Sequence, residues 1–168
     1  MTTTINGSTG IDKVAAGAVT TSKLPAGTVL QVVYGSYTGG EVNSSSSTFA
    51  DTGLTATITP SSATSKILVF ASVNGLFKQS GNTSVDTRLV RNSTALINLD
   101  IGSGYNGSTT QQQVGGAGIS YLDSPATTSA TTYKVQFASD ANTSMAYCFV
   151  GMTGGRGAGS ITLMEIAA

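Results

Sequence analysis

The chain has 168 residues and a mass of 16.9 kDa, and eight Lys+Arg balance eight Asp+Glu for a formal net charge of zero. It contains no His, no Trp and one Cys. This composition excludes a Ser-His-Asp triad, a Cys-His dyad, an imidazole or thiolate metal site and an internal disulfide.

Only 10% of the residues are charged, against about 25% in ordinary soluble proteins. The basic residues never cluster, so the counterion release that drives nucleic-acid binding has no footprint. No apolar run approaches 18 residues, and membrane insertion is not expected. Met1–Gly10 is polar, without the basic and apolar regions of a secretory signal, and none is expected there. Gly, Ser and Thr fill roughly two-fifths of the chain, far above ordinary usage. The mean hydropathy of +0.14 and the patterned apolar residues separate it from chains that stay unfolded.

In chain order, residues 1–26 read as an N-terminal arm. Ile11, Val14, Ala15, Ala18 and Val19 fall on helical spacing, but Gly17 weakens a helix there, and Pro25 and Gly27 end the stretch. Such a segment cannot bury enough surface to fold alone. It orders by docking on a partner, with Ile5, Ile11, Val14, Val19 and Leu24 as the apolar docking residues, or it frays as chain ends do.

Residues 27–168 read as β-structure throughout. Leu54, Ala56 and Ile58 alternate with threonines, and Tyr133, Val135 and Phe137 alternate with Lys134 and Gln136. Period two with polar partners means one buried and one wet face. Further strands are expected at Thr48–Asp51, Ser84–Arg91, Ala95–Leu99, Ala117–Leu122 and Ser160–Ile166. Turns are expected at Asn74-Gly75, Asn82 and Asn106-Gly107. Eight to ten short strands at this spacing predict an antiparallel β-sandwich or barrel.

Thr28–Tyr34, Ile67–Ala71 and Met145–Val150 break the alternation and are apolar on both sides. A strand apolar on both sides is buried on both sides. One side faces the sandwich core; the other needs a cover, which is expected from another copy of the chain, or else from loops. Leu68, Phe70, Tyr147 and Phe149 are the candidate subunit-interface residues.

With His and Cys excluded, Asp51, Asp86, Asp100, Asp123, Asp140 and Glu165 are the candidates for catalysis. No two lie close in sequence, and a glycosidase needs a pair about 5–10 Å apart. The expectation is no enzyme, no metal and no cofactor. The glycine-rich stretches 115–118 and 154–159 lack the Lys-Ser/Thr of a phosphate loop. Cys148 is expected to pack as a small apolar residue. What remains is surface recognition: Tyr rings to stack on sugars and amide side chains to hydrogen-bond them. The candidates in expected loops are Tyr37, Gln79, Asn82, Tyr105 and Asn106.

Several segments also resemble a module of tail-fibre and other structural proteins of cyanophages and related marine bacteriophages. They are Thr28–Val33, the Ser/Thr-rich stretch to Leu54, Ile161–Ile166 and, most specifically, Ile58-Thr-Pro-Ser-Ser-Ala-Thr-Ser-Lys-Ile-Leu-Val69. Ile5–Val14 and Ala18–Leu24 resemble segments near the start of such fibres, whereas Gly75–Gly118 resembles nothing in them. The resemblance implies a virion protein, a homotrimer with a jelly-roll-like sandwich head of the tumour-necrosis-factor and complement type. Its arm would dock on a tail, baseplate or capsid protein and its head would touch a host-surface glycan. The alternative is a capsid decoration or cement protein with the same fold and no receptor. A polysaccharide-cleaving enzyme would need a carboxylate whose replacement abolishes oligosaccharide release, and an extracellular ligand of that fold would need a secretory signal.

Overall fold

The computed structural model describes residues 19–20, 23–107, 112–140, 145–149 and 158–168. Ile5, Ile11 and Val14, and with them the expected helical spacing, lie outside these residues. The described chain is all-β and antiparallel, with ten strands: β1 (Val29–Tyr37), β2 (Val42–Ser44), β3 (Ala50–Ile58), β4 (Lys66–Lys78), β5 (Val85–Arg91), β6 (Thr94–Ser103), β7 (Gln112–Asp123), β8 (Thr131–Ser139), β9 (Ala146–Cys148) and β10 (Gly159–Ile166).

They form two sheets. One runs β1-β10-β4-β9-β2, with β7 also paired to β4; the other runs β3-β8-β5-β6. The 13-residue β4 is the spine of the first. Its one edge carries β7, and its other edge carries β10 along 66–73 and then β9 at 77–78. Between the sheets lies one core that includes Leu54, Ile58, Ile67, Val69, Leu89, Tyr133, Val135, Phe137, Ile161 and Leu163. These are the inward positions of alternating strands, as their period-two pattern requires.

Two glycines alter the expected elements. Thr48–Asp51 and Leu54–Thr59 were expected as separate strands but form the single β3, whose pairing with β8 is irregular between Asp51 and Thr55, around Gly53 at φ +86°. Asn74-Gly75 is not a turn. Gly75, at φ +66°, makes a β-bulge within β4. The extra residue reverses the phase of the strand: Ile67, Val69, Ala71 and Val73 point inward before it, and Leu76 and Lys78 after it.

The register defines two ends. At the first lie Val29 beside Ile166, Ile67 beside Asp123, Ile58 beside Thr131 and Arg91 beside Thr94. The arm enters at this end: Gly27 N donates to Ala167 O and Ala167 N to Thr28 O. At the far end lie Tyr37, Lys78, Val85 and Ser103, with residues 38–41, 79–84 and 104–107.

Polar clasps close the arm end. Glu165 is fully buried on β10. Its carboxylate accepts from Gln31 Nε2 at 2.5 Å and from both Ser61 N and Ser61 Oγ at 2.7 Å. Burial pushes this carboxyl up, but the Gln31 and Ser61 donors outweigh it and hold it below the ordinary carboxylate range. Its ionised form is thus favoured by the fold. The stability it supplies is present above the unfolded value of 4.5 and is lost as pH falls through the lower folded value. Glu165→Gln, which faces the same donors without a charge, should cost on the order of 2 kcal/mol at neutral pH. Urea unfolding from pH 7 to pH 3 should show a shallower loss of stability in the variant than in the parent.

Candidate functional site

The two outer faces of the sandwich differ in chemistry. The four-stranded sheet presents a polar ladder. Arg88 donates to Gln136 Oε1 from Nε at 2.9 Å and Nη2 at 2.8 Å; Gln136 Nε2 and Lys134 Nζ donate to Asp51; and Thr57 and Thr132 share a hydroxyl bond. Arg88 also stacks on Phe49, 4.0 Å from the ring centroid. This face is built for water.

The outer face of the six-stranded sheet is not. Pairing aligns Val32, Met164, Leu68 and Leu122 in one row across β1, β10, β4 and β7, and Tyr34, Thr162, Phe70 and Ser120 in the next. Val32 is 56% exposed, Tyr34 66%, Phe70 43% and Leu122 56%. The next row toward the arm holds Val29, Ile166 and Lys66, which donates to Ser124, and the next toward the far end holds Ser36, Ser160 and Ser72. With strands about 4.8 Å apart and same-face residues about 6.8 Å apart, the apolar area is on the order of 300–400 Å². That is the size of the largest apolar patch on a typical monomer, which is often a functional surface.

Of the interface candidates, Leu68 and Phe70 lie on this face. Tyr147 shares its far edge, meeting Phe77 edge-on at 5.4 Å between centroids. Phe149 does not belong to the outer face. β9 ends at Cys148, Phe149 takes φ +65°, and its ring turns into the core to stack on Tyr37 at 4.3 Å and 24°. The Met145–Val150 segment is therefore covered within the chain at Cys148 and Phe149, unlike β1 and β4. Leu122, Met164, Val32 and Tyr34 complete the face. Their sequence signal was the apolar outer half of strands whose other half already matched a core.

The recognition candidates gather at the far end, four in loops and one in a strand. Tyr37 is not in a loop; it is the last residue of β1, held against Phe149. Gln79 and Asn82 lie on the β4–β5 connection and Tyr105 and Asn106 on the β6–β7 connection. Asn82, at φ +50°, donates its N–H to Asn106 O at 2.8 Å, and Tyr147 Oη donates to Gln79 Oε1 at 3.4 Å. Tyr105 is 60% exposed. Of the arm candidates within the described residues, Val19 is exposed and Leu24 half-buried.

Lys78 was not singled out from the sequence. Simple alternation puts it on the wet face, and only the Gly75 bulge turns it inward. It is fully buried, and its Nζ donates to Asn106 Oδ1 at 2.6 Å. A buried ammonium held by a neutral amide is costly, and here it fixes the loop carrying Tyr105.

The carboxylates serve separate local networks. Asp123 binds Arg91 and Tyr133, Asp86 binds Ser84 and Gly102 N, Asp100 binds Ser103, and Asp51 and Glu165 are bound as described. Among the described residues, no three His, Cys, Asp or Glu side chains converge as metal ligands do. No described helix is long and apolar enough to cross a membrane. No family model matches the chain, and no curated protein matches it.

Cys148 is fully buried, and burial pushes its thiol up to about 12. Its thiolate is therefore scarce at pH 8. A thiol reagent at that pH should leave the native protein unlabelled for hours and label one thiol per chain within minutes in denaturant.

Proposed function

We propose that this chain is a bacteriophage virion protein, a short tail fibre. Residues 1–26 attach it to a tail or baseplate protein, and residues 27–168 form a homotrimeric, jelly-roll-like head that recognises a host-surface glycan. The observation that carries this reading is the uncharged apolar face running parallel to the strands. Copies packed side by side on it, all pointing the same way, bring their arms together at one end and their Gln79, Asn82, Tyr105 and Asn106 loops together at the other. A protein that holds a particle at one end and touches a cell at the other needs that polarity. Association on the face removes exposed Val32, Tyr34, Phe70 and Leu122 from water, at roughly 25 cal/mol per Å² of apolar area. Three copies also give avidity, so weak sugar binding at each tip becomes useful.

The resemblance of Ile58–Val69 and Ile161–Ile166 to marine phage fibre modules supplies the virion setting. The same body without a receptor would be a capsid decoration protein, and cell binding separates the two. Fluorescently labelled full-length chain is to be incubated with a panel of marine cyanobacterial strains. Saturable binding to at least one strain is expected, competed by that strain's extracted surface polysaccharide. Replacing both Asn82 and Tyr105 by Ala should weaken it at least tenfold, since each lost hydrogen bond or ring contact is worth about 1 kcal/mol. No binding to any strain, together with binding to purified capsids, would favour the decoration protein.

A further inference from the structure

A second recessed surface lies at the arm end, away from the apolar face and from the far-end loops. It is a cleft of about 350 Å³ between the β5–β6 turn and the β7–β8 connection, lined by Arg91, Asn92, Ser93, Thr94, Thr127 and Ser129 among others. That volume sits at the low end of small-molecule sites, which span roughly 300–1,000 Å³.

Its floor is preorganised. Arg91 Nη1 donates to both Asp123 oxygens, at 2.9 and 2.8 Å, and the buried Tyr133 Oη donates to Asp123 Oδ2 at 2.6 Å. The carboxylate offsets the guanidinium charge and locks its plane. Only Nη1 is spent on it, and a quarter of the Arg91 side chain is exposed, so donors remain for a ligand. The walls are held too. Asn92, at φ +53°, accepts from Thr132 N through Oδ1 and donates its own N–H to Thr132 O. Ala126, on the facing connection, also sits at φ +53°, a conformation disfavoured for a residue with a Cβ. The hydroxyls of Ser93, Thr94 and Ser129 make no hydrogen bond to another described residue and rim the opening.

We infer that this cleft is a binding site for a neutral sugar unit. The lining offers hydroxyls and guanidinium N–H groups without net charge, since Arg91 is neutralised from beneath. No carboxylate projects into it to repel or bind a cation. A neutral polyol matches this set of donors and acceptors. The cleft lies between the β5–β6 turn of the polar-faced sheet and the β7–β8 connection, beyond the Lys66–Ser124 contact that borders the apolar rows. The inference rests on the proposed glycan recognition only for the source of the sugar.

The test is an amide-resolved NMR titration of the full chain with methyl glycosides of neutral hexoses, and with a methyl uronate as the acidic counterpart. At least one neutral glycoside should give saturable shifts at residues 91–94 and 125–131. The Thr94→Val/Ser129→Ala double variant should weaken that binding by on the order of tenfold, with the rest of its spectrum unchanged. Absence of saturable shifts with every neutral glycoside overturns the site, as does equal binding by the variant. Preference for the uronate overturns the ligand class. Cell binding by the parent chain is read separately. If it persists while the shifts are lacking, the cleft has failed and the fibre has not; if shifts occur without cell binding, the reverse holds.

Discussion

The six-stranded sheet is apolar on both sides, and most of the molecule's organisation follows from that. Its inner side packs on the four-stranded sheet in the ordinary way. Its outer side carries Val32, Met164, Leu68 and Leu122 in register across four strands, with Tyr34 and Phe70 in the adjacent row. The opposite outer face meets water with Arg88, Gln136, Asp51 and Lys134, each hydrogen-bonded to a neighbour. Two faces made by the same chain, one saturated with polar pairs and one lacking them, mark different surroundings. Homotypic packing on the apolar face is the reading on which the proposed fibre rests.

The two ends are held together by different means. At the arm end, buried charges are well satisfied: Glu165 by Gln31 and Ser61, Asp123 by Arg91 and Tyr133. These clasps tie β1, β10, β5, β7 and β8 together where the arm enters. At the far end the links run mainly between loops, Lys78 to Asn106, Asn82 to Asn106 and Thr83 to Ser139. Loops so anchored hold Tyr105 exposed.

Much of the fold was legible in the sequence because a half-buried strand writes its period directly. Leu54–Ile58 and Tyr133–Phe137 lie where alternation puts them, and the doubly apolar Thr28–Tyr34 and Ile67–Ala71 do flank an uncovered face. The misses share a cause. Gly75 and Phe149 both adopt positive φ within or beside strands, and such residues reset which side the next residue faces. Hence the expected turn at Asn74-Gly75 became a bulge, Lys78 turned inward, and Phe149 joined the core with Tyr37. The cleft at Arg91 was illegible for another reason. It needs β5 and β7, distant in sequence and in different sheets, to meet at one end, and no local pattern encodes that meeting.

The central claim is that the uncovered sheet face is closed by copies of the chain. Light scattering on a sizing column, for residues 1–168 and 27–168, tests it most directly. Both are predicted to have three times the single-chain mass, which is 16.9 kDa for the full chain. If both run as monomers, or if the shortened chain alone does, the face is not the assembly surface and the account is contradicted.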